Sequence, residues 1–354
     1  MRSFTLGNRV VGAGAPVLVI AEMAWAHDGD RERAVRMARG AAEAGADALS
    51  VHVTSVPDYM VAHYGNPGTV SAGKPTSKIF EYLERINLDR PAVTAVAEAA
   101  RTAGLAVVLM PNDLPSLEFS RSLDPDGYVL SPACFTDEDF VRALAASDRP
   151  VVLRVGGSTL GEIERTVGWL RDAGCRDLLI LHGFQVYPTP LEELNLRAIP
   201  TLERIFDCPV GLADHIDGGD ELALALPAVA ISFGAAALEK HITWDREERG
   251  EDFESALDPA RFARFVRIVR AAELAIGVDG VGPFSADVLK YRQVVRKRVV
   301  AAADLPRGAV IEPRHLACKR SDDGIGPEDR IHLIGRRLRT DIRTDDPLTF
   351  GALE

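Results

Sequence analysis

Cysteine is scarce in this sequence of 354 residues. Its four cysteines are Cys134, Cys175, Cys208 and Cys318, and no two of them have the CxxC spacing of a thiolate zinc site. We therefore expect reduced, mostly buried thiols and no disulfide framework. Long apolar runs are also lacking, since none reaches the roughly 20 residues of a membrane span, and the first residues do not form the apolar core of a secretory signal. These absences predict a cytoplasmic protein that does not enter a membrane.

An excess of positive charge is missing as well. The chain has 41 Lys and Arg residues against 52 Asp and Glu residues, which gives a formal net charge of −11. This balance disfavours broad binding to nucleic acid or to an anionic membrane surface. The hydrophobic content of 47% is ordinary for a globular protein with a full core. The composition therefore favours chemistry on a small molecule.

Eight short apolar runs alternate with helical segments between residue 17 and about residue 276. This pattern is typical of consecutive βα units around a parallel sheet. Eight units predict a (β/α)8 TIM barrel; a doubly wound sheet is the alternative, but no GxGxxG motif follows the first run. The predicted strands are residues 17–22, 48–53, 106–110, 127–131, 150–155, 178–183, 209–212 and 236–241.

The pattern changes after residue 277. A segment with a basic end leads into short β-type runs separated by Gly and Pro turns. We predict a barrel domain over residues 1–277, a linker over 278–296 and a small β-rich domain over 297–354. A domain of that size has a marginal core by itself, so we expect it to pack against a barrel, either its own or that of a partner.

Histidines follow the seventh and eighth predicted strands, where His215 ends "PVGLADH" and His241 ends "LEKH". In a parallel barrel the carboxyl ends of the strands form the catalytic rim. Imidazoles that converge there indicate a divalent-metal site first and acid/base chemistry second. Glu22 ends the first strand at the same rim, and Asp214 precedes His215 as a candidate support for it.

Several ordered motifs resemble the sialic acid synthase family, also called the N-acetylneuraminate synthases. The resemblance covers nearly the whole chain and implies a TIM barrel followed by a C-terminal antifreeze-like (SAF) domain. The motifs are "IAEMAWAHDGD" (20–30), "AGADAL" (44–49), "LHGFQVYPTPLEELNLRAIPTL" (181–202), "PVGLADH" (209–215), "LEKHIT" (238–243) and the tail over 297–342.

The resemblance implies a transferase that condenses phosphoenolpyruvate (PEP) with the aldehyde of an open-chain amino sugar. His215 and His241 are then expected to bind a divalent metal (Mn, Mg, Fe or Zn), and Glu22 to orient water or a substrate hydroxyl. Arg320 is expected to reach the barrel of a partner in a domain-swapped homodimer. His27, Gln185 and Tyr187 are further expected substrate contacts, and His182 a further catalytic candidate.

The chain departs from the family where PEP is expected to bind. Two lysines of the family's pattern are replaced by Ser50 and Val129, and hydroxyl side chains by Met110 and Ala213. One serine is replaced by Arg154, whose forked donors suit a carboxylate, so Arg154 is the candidate for an anionic substrate group.

His52 takes the place of a glutamine on the second strand. It either replaces a hydrogen-bonding amide or adds a third imidazole to the metal site. Two enzymatic functions therefore stay open: a sialic-acid-synthase-like condensation, or a PEP-independent metal reaction of oxygenase, lyase or hydrolase type on a small polar substrate. A non-catalytic metabolite binder is the third hypothesis.

Overall fold

The computed structural model describes residues 3–63, 70–71, 74–75, 78–184, 186–277 and 280–354. Eight parallel strands form a closed barrel in which neighbours along the chain are neighbours in space, so the predicted TIM barrel is confirmed. Register pairs the last strand with the first and sets His241 opposite Glu22. The strands are β3 (Leu18–Glu22), β4 (Ala48–Val53), β7 (Ala106–Pro111), β8 (Gly127–Leu130), β9 (Val151–Arg154), β10 (Leu178–His182), β11 (Val210–Asp214) and β12 (Ala237–His241).

Helices surround the barrel and begin at polar caps. Asp30 accepts a hydrogen bond from the backbone N–H of Arg33 at the start of the first helix, and Gly45 follows its end with a φ of +90°, a conformation that suits glycine. The barrel-domain helices are α1 (Arg31–Glu43), α2 (Val56–Tyr59), α3 (Ile79–Ile86), α4 (Arg90–Thr102), α5 (Leu114–Ser122), α6 (Glu138–Ala145), α7 (Leu160–Asp172), α8 (Ala198–Phe206), α9 (Leu222–Val229) and α10 (Pro259–Ile276). No helix in the described residues combines the length and apolar character that a membrane crossing requires.

Alternation along the strands separates two cores. Ile20, Val108 and Leu181 point into the lumen and belong to one apolar cluster, whereas Ala21 and Leu109 belong to the larger cluster between strands and helices. An antiparallel hairpin of β1 (Ser3–Leu6) and β2 (Arg9–Gly12) contributes apolar residues to the lumen cluster. A second, short antiparallel pair consists of β5 (Val70–Ser71) and β6 (Lys74–Pro75).

The chain divides into two compact units, Met1–Gly277 and Val278–Glu354. The segment predicted as a linker contains helix α11 (Ala286–Val295). Strand β13 (Lys297–Ala301) then pairs antiparallel with β14 (Leu316–Arg320). This second unit has its own apolar core, which includes Val299, Ile311 and Leu348.

Candidate active site

Three charged side chains meet in the lumen near the carboxyl ends of the strands. Arg154 donates from Nε and Nη2 to Oε2 of Glu239, at 3.2 and 2.7 Å, and Nη2 also donates to Oε2 of Glu22. Arg154 is 6% exposed, Glu239 1% and Glu22 fully buried. One guanidinium therefore neutralises two buried carboxyl groups from strands on the other side of the barrel.

The two carboxyl groups have opposite pKa shifts. Burial raises the pKa of each, but at Glu22 the neighbouring Arg154 and His52 outweigh burial and bring the pKa below its ordinary value. At Glu239 burial prevails over the attraction of Arg154, and the charge of Glu22 adds to it, so the pKa of Glu239 is raised to about 7. Glu22 is thus the ionised carboxylate near neutral pH, while Glu239 exchanges a proton there.

His215 and His241 converge, with ring centroids 5.1 Å apart. Tyr187 packs against both rings, at 4.4 Å from His215 and 5.5 Å from His241. Burial lowers the pKa of His215 to about 3 and that of His241 well below its ordinary value, so both imidazoles are neutral at pH 7. Within the described residues, Nδ1 of His215 and Nε2 of His241 have no hydrogen-bond partner, and Oδ2 of Asp252 lies 3.6 Å from Nδ1 of His241.

His52 lies beside Glu22. Its Nε2 is 3.4 Å from Oε1 of Glu22, and the ring of Trp25 packs edge-on at a centroid distance of 4.3 Å. Burial lowers the pKa of His52 to about 4. In the part of the chain that the structure describes, no three His, Cys, Asp or Glu side chains form a group that could hold a metal ion. The structure therefore brings His215 and His241 together, and a role of His52 as a third ligand stays a prediction.

Two of the predicted catalytic residues point away from the lumen. Asp214 accepts a hydrogen bond from Nζ of Lys240 at 2.5 Å, and Lys240 also donates to the backbone carbonyl of Ile216 at 3.0 Å. Lys240 thus points away from the cavity and forms a buried salt bridge with Asp214. His182 is likewise on the outer face of its strand, with Nε2 3.0 Å from the carbonyl oxygen of Leu194.

The remaining predicted residues lie in different places. His27 is buried in the loop after β3, and its Nδ1 accepts from the N–H of Gly29 at 3.1 Å. Burial lowers its pKa to about 3. Gln185 lies outside the described residues. Arg320 belongs to the second unit, where its exposed guanidinium donates to the carbonyl oxygen of Val294 at 3.2 and 3.1 Å.

Glu239, Asp252 and Trp25 are site residues that the sequence did not single out. The sequence does contain a signal for Glu239: it stands two residues before His241, so both side chains share one face of the strand. Asp252 and Trp25 lie in loops, where no periodicity predicts the direction of a side chain.

A closed parallel barrel with buried charged groups at the carboxyl ends of its strands has the architecture of a TIM-barrel enzyme. The sequence profile of the NeuB family matches residues 37–280, and that of the SAF domain matches residues 296–354. The chain therefore belongs to the NeuB family and carries a C-terminal SAF domain, which confirms the resemblance.

Named relatives match over nearly the full length. A pseudaminic acid synthase of Campylobacter jejuni is 29% identical over 95% of this chain and 96% of its own length. An N,N'-diacetyllegionaminic acid synthase of Legionella pneumophila is 26% identical over 98% of both chains. The crystal structure of an N-acetylneuraminic acid synthetase from Leptospira borgpetersenii superimposes with a TM-score of 0.72 at 24% identity, over 83% of this chain and 97% of that one.

Proposed function

We propose that this protein is a metal-dependent enzyme that forms a carbon–carbon bond between a three-carbon enol donor of the PEP type and a sugar-derived aldehyde. One observation carries the proposal: Glu22, His215 and His241 lie at the carboxyl ends of three adjacent strands, buried and near the same strand register. The full-length similarity to sugar-acid synthases supports the same reaction class.

His215 and His241 would supply two ligands to a divalent metal. His215 and His241 are neutral, closely spaced and carry buried nitrogens without hydrogen-bond partners among the described residues, and the Asp252 carboxylate is close to His241. Neutral imidazole and carboxylate are ligands for Zn, Fe or Mn, and Mg is a further candidate. When bound, such an ion would polarise the aldehyde carbonyl as a Lewis acid.

The other residues have roles that follow from their charge and position. Glu22, the ionised carboxylate, accepts and returns a proton or orients a water molecule. Arg154 holds Glu22 in place through its Nη2. Tyr187 covers the two histidine rings and narrows the access of water to them.

A PEP-independent metal reaction on a small polar substrate is the second candidate. It is favoured by the pairing of Arg154, because the one cation expected to replace the missing lysines is already shared by two carboxyl groups. The domain-swapped homodimer, and the contact of Arg320 with a partner's barrel, stay predictions.

The test uses the full-length protein loaded with manganese. It is incubated with N-acetylhexosamines in two parallel reactions, one with PEP and one with pyruvate as the donor. Mass spectrometry then searches for a 2-keto acid three carbons longer than the aldehyde. We expect product with the wild type and a loss of at least about 100-fold in His241→Gln. His182→Gln is the matched control, because His182 faces away from the lumen. No product with either donor would contradict the proposed function.

A further inference from the structure

The loop between β12 and α10, residues 242–258, brings a carboxylate to the paired histidines. Oδ2 of Asp252 lies 3.6 Å from Nδ1 of His241, and the Asp252 side chain is only 20% exposed. The backbone of Asp252 has a φ of +58°, a left-handed conformation that residues other than glycine seldom adopt. Such a conformation persists where surrounding contacts hold it. The position of this carboxylate therefore depends on what fixes the 242–258 loop.

Two arginines fix the parts of the loop that flank the carboxylate. On the amino-terminal side, Nη2 of Arg33 on α1 pairs with Oε2 of Glu248 at 2.7 Å. On the carboxyl-terminal side, the guanidinium of Arg246 donates to the backbone carbonyl of Ala256. Neither of these two contacts involves residues 250–252, so they hold the ends of the loop and not the segment that carries the carboxylate.

A contact from another part of the rim reaches that segment. The hydroxyl of Tyr82 on α3 donates to Oε2 of Glu251, the residue directly before Asp252. The guanidinium of Arg85 lies over the Tyr82 ring, 5.1 Å from its centroid, and this cation–π contact holds the ring. In the barrel, β3 lies between β12 and β4. The hydrogen bond therefore connects the segment that follows β4 to the loop that follows β12.

Helix α3 also contacts a second side of the site. Leu83 and Ile86 on α3 belong to a small apolar cluster against which the ring of Trp25 packs. Trp25 in turn packs edge-on against His52, at a centroid distance of 4.3 Å. One helix thus contacts both the loop that carries Asp252 and the indole beside His52, so its placement affects residues on both sides of the site.

We propose that Tyr82 and Glu251 are positioning residues: their hydrogen bond holds the 242–258 loop against α3 and thereby keeps the Asp252 carboxylate beside His241. This inference rests on the proposed function for the role of His241 in metal binding. Both residues act through Asp252 and not on the substrate. A hydroxyl donor and a carboxyl acceptor form the contact, so an amide oxygen can replace the carboxyl oxygen. Loss of either partner releases residues 250–252 and lowers the affinity for the metal.

The experiment is calorimetric titration of manganese into the full-length protein without substrate. Groups that orient a metal-binding imidazole typically contribute about 10- to 100-fold to metal affinity. We expect Tyr82→Phe and Glu251→Ala each to weaken manganese binding by at least about tenfold. Glu251→Gln should stay within about twofold of the wild type, because its amide oxygen still accepts from Tyr82. Tyr291→Phe, which changes an exposed tyrosine of the second unit, is the matched control and should leave the affinity unchanged.

Hydrogen exchange of the metal-free proteins separates this inference from the proposed function. The amides of Ser255 and Ala256 donate to the backbone carbonyl of Asp252, so Tyr82→Phe should speed their exchange by at least about fivefold while that of α10 stays unchanged. Unchanged manganese affinity or unchanged exchange in Tyr82→Phe overturns the inference, and so does an equal loss of affinity in Glu251→Gln and Glu251→Ala. A wild type that binds no manganese, together with faster exchange in Tyr82→Phe, would contradict the proposed function and leave the positioning of the loop standing.

Discussion

The side chains on the two faces of strand β12 have different surroundings. Lys240 points outward, fully buried, and its ammonium group has a carboxylate and a backbone carbonyl as partners. Its neighbours Glu239 and His241 point inward, where Glu239 shares a guanidinium and both ring nitrogens of His241 have no hydrogen-bond partner among the described residues.

The difference separates polar side chains that stabilise the fold from polar side chains that are available to bind a ligand. The outer pair, Lys240 and Asp214, satisfies its charges within the protein, as burial requires. The inner group leaves ring nitrogens of neutral imidazoles without hydrogen-bond partners among the described residues, which is the condition for binding a ligand. A displacement of one residue along a strand decides between the two, because successive side chains point to opposite faces.

The largest expected effect on stability comes from breaking the outer pair. Lys240→Met leaves Asp214 buried without its cation, so we expect the free energy of unfolding to fall by about 3–5 kcal/mol, measured by urea denaturation. The double variant Lys240→Met with Asp214→Leu should regain much of this loss, because it removes both charges. If the single variant is as stable as the wild type, the outer pair is not structural.

Metal binding gives a smaller effect that is confined to the inner face. Manganese at about 100 times its dissociation constant should stabilise the protein by about 2.7 kcal/mol, seen as a higher melting temperature. His215→Gln should lose this gain. His182→Gln, on the outer face, should keep it even if its own stability is lower. Equal gains in both variants would place the metal away from His215.

The pH dependence of stability gives the smallest effect. In the unfolded chain His27 binds a proton below pH about 6.5, whereas its pKa in the folded protein is about 3. Between these values the unfolded state holds the extra proton, so stability falls as the pH falls. From pH 7.5 to 5.5 the contribution of His27 is a loss of about 1.4 kcal/mol.

His27→Gln has no imidazole to protonate at this position, so its unfolding free energy should fall by about 1.4 kcal/mol less than that of the wild type over the same pH range. Urea denaturation at both pH values measures the difference. Equal losses in the two proteins would show that His27 titrates in the folded state.

The sequence by itself determined the barrel. Strand positions follow from short apolar runs, and helix starts follow from caps such as Asp30. The motifs of the tail indicated the SAF domain. The sequence also placed His215 and His241 at the rim, since both stand at strand ends. These are local properties, and they depend on the spacing of residues along the chain.

Only the tertiary structure decided which side chains those residues contact. Arg154 lies 85 residues from Glu239 and 132 from Glu22 in sequence, and closure of the barrel brings the three together. Arg154, the candidate for an anionic substrate group, is therefore ion-paired with two carboxyl groups. Pairing of neighbouring strands places Asp214 beside Lys240, and Trp25, in the loop after β3, packs against His52 on β4. Pairing of buried charges depends on register and distance across the lumen, which the spacing of residues along one strand does not encode.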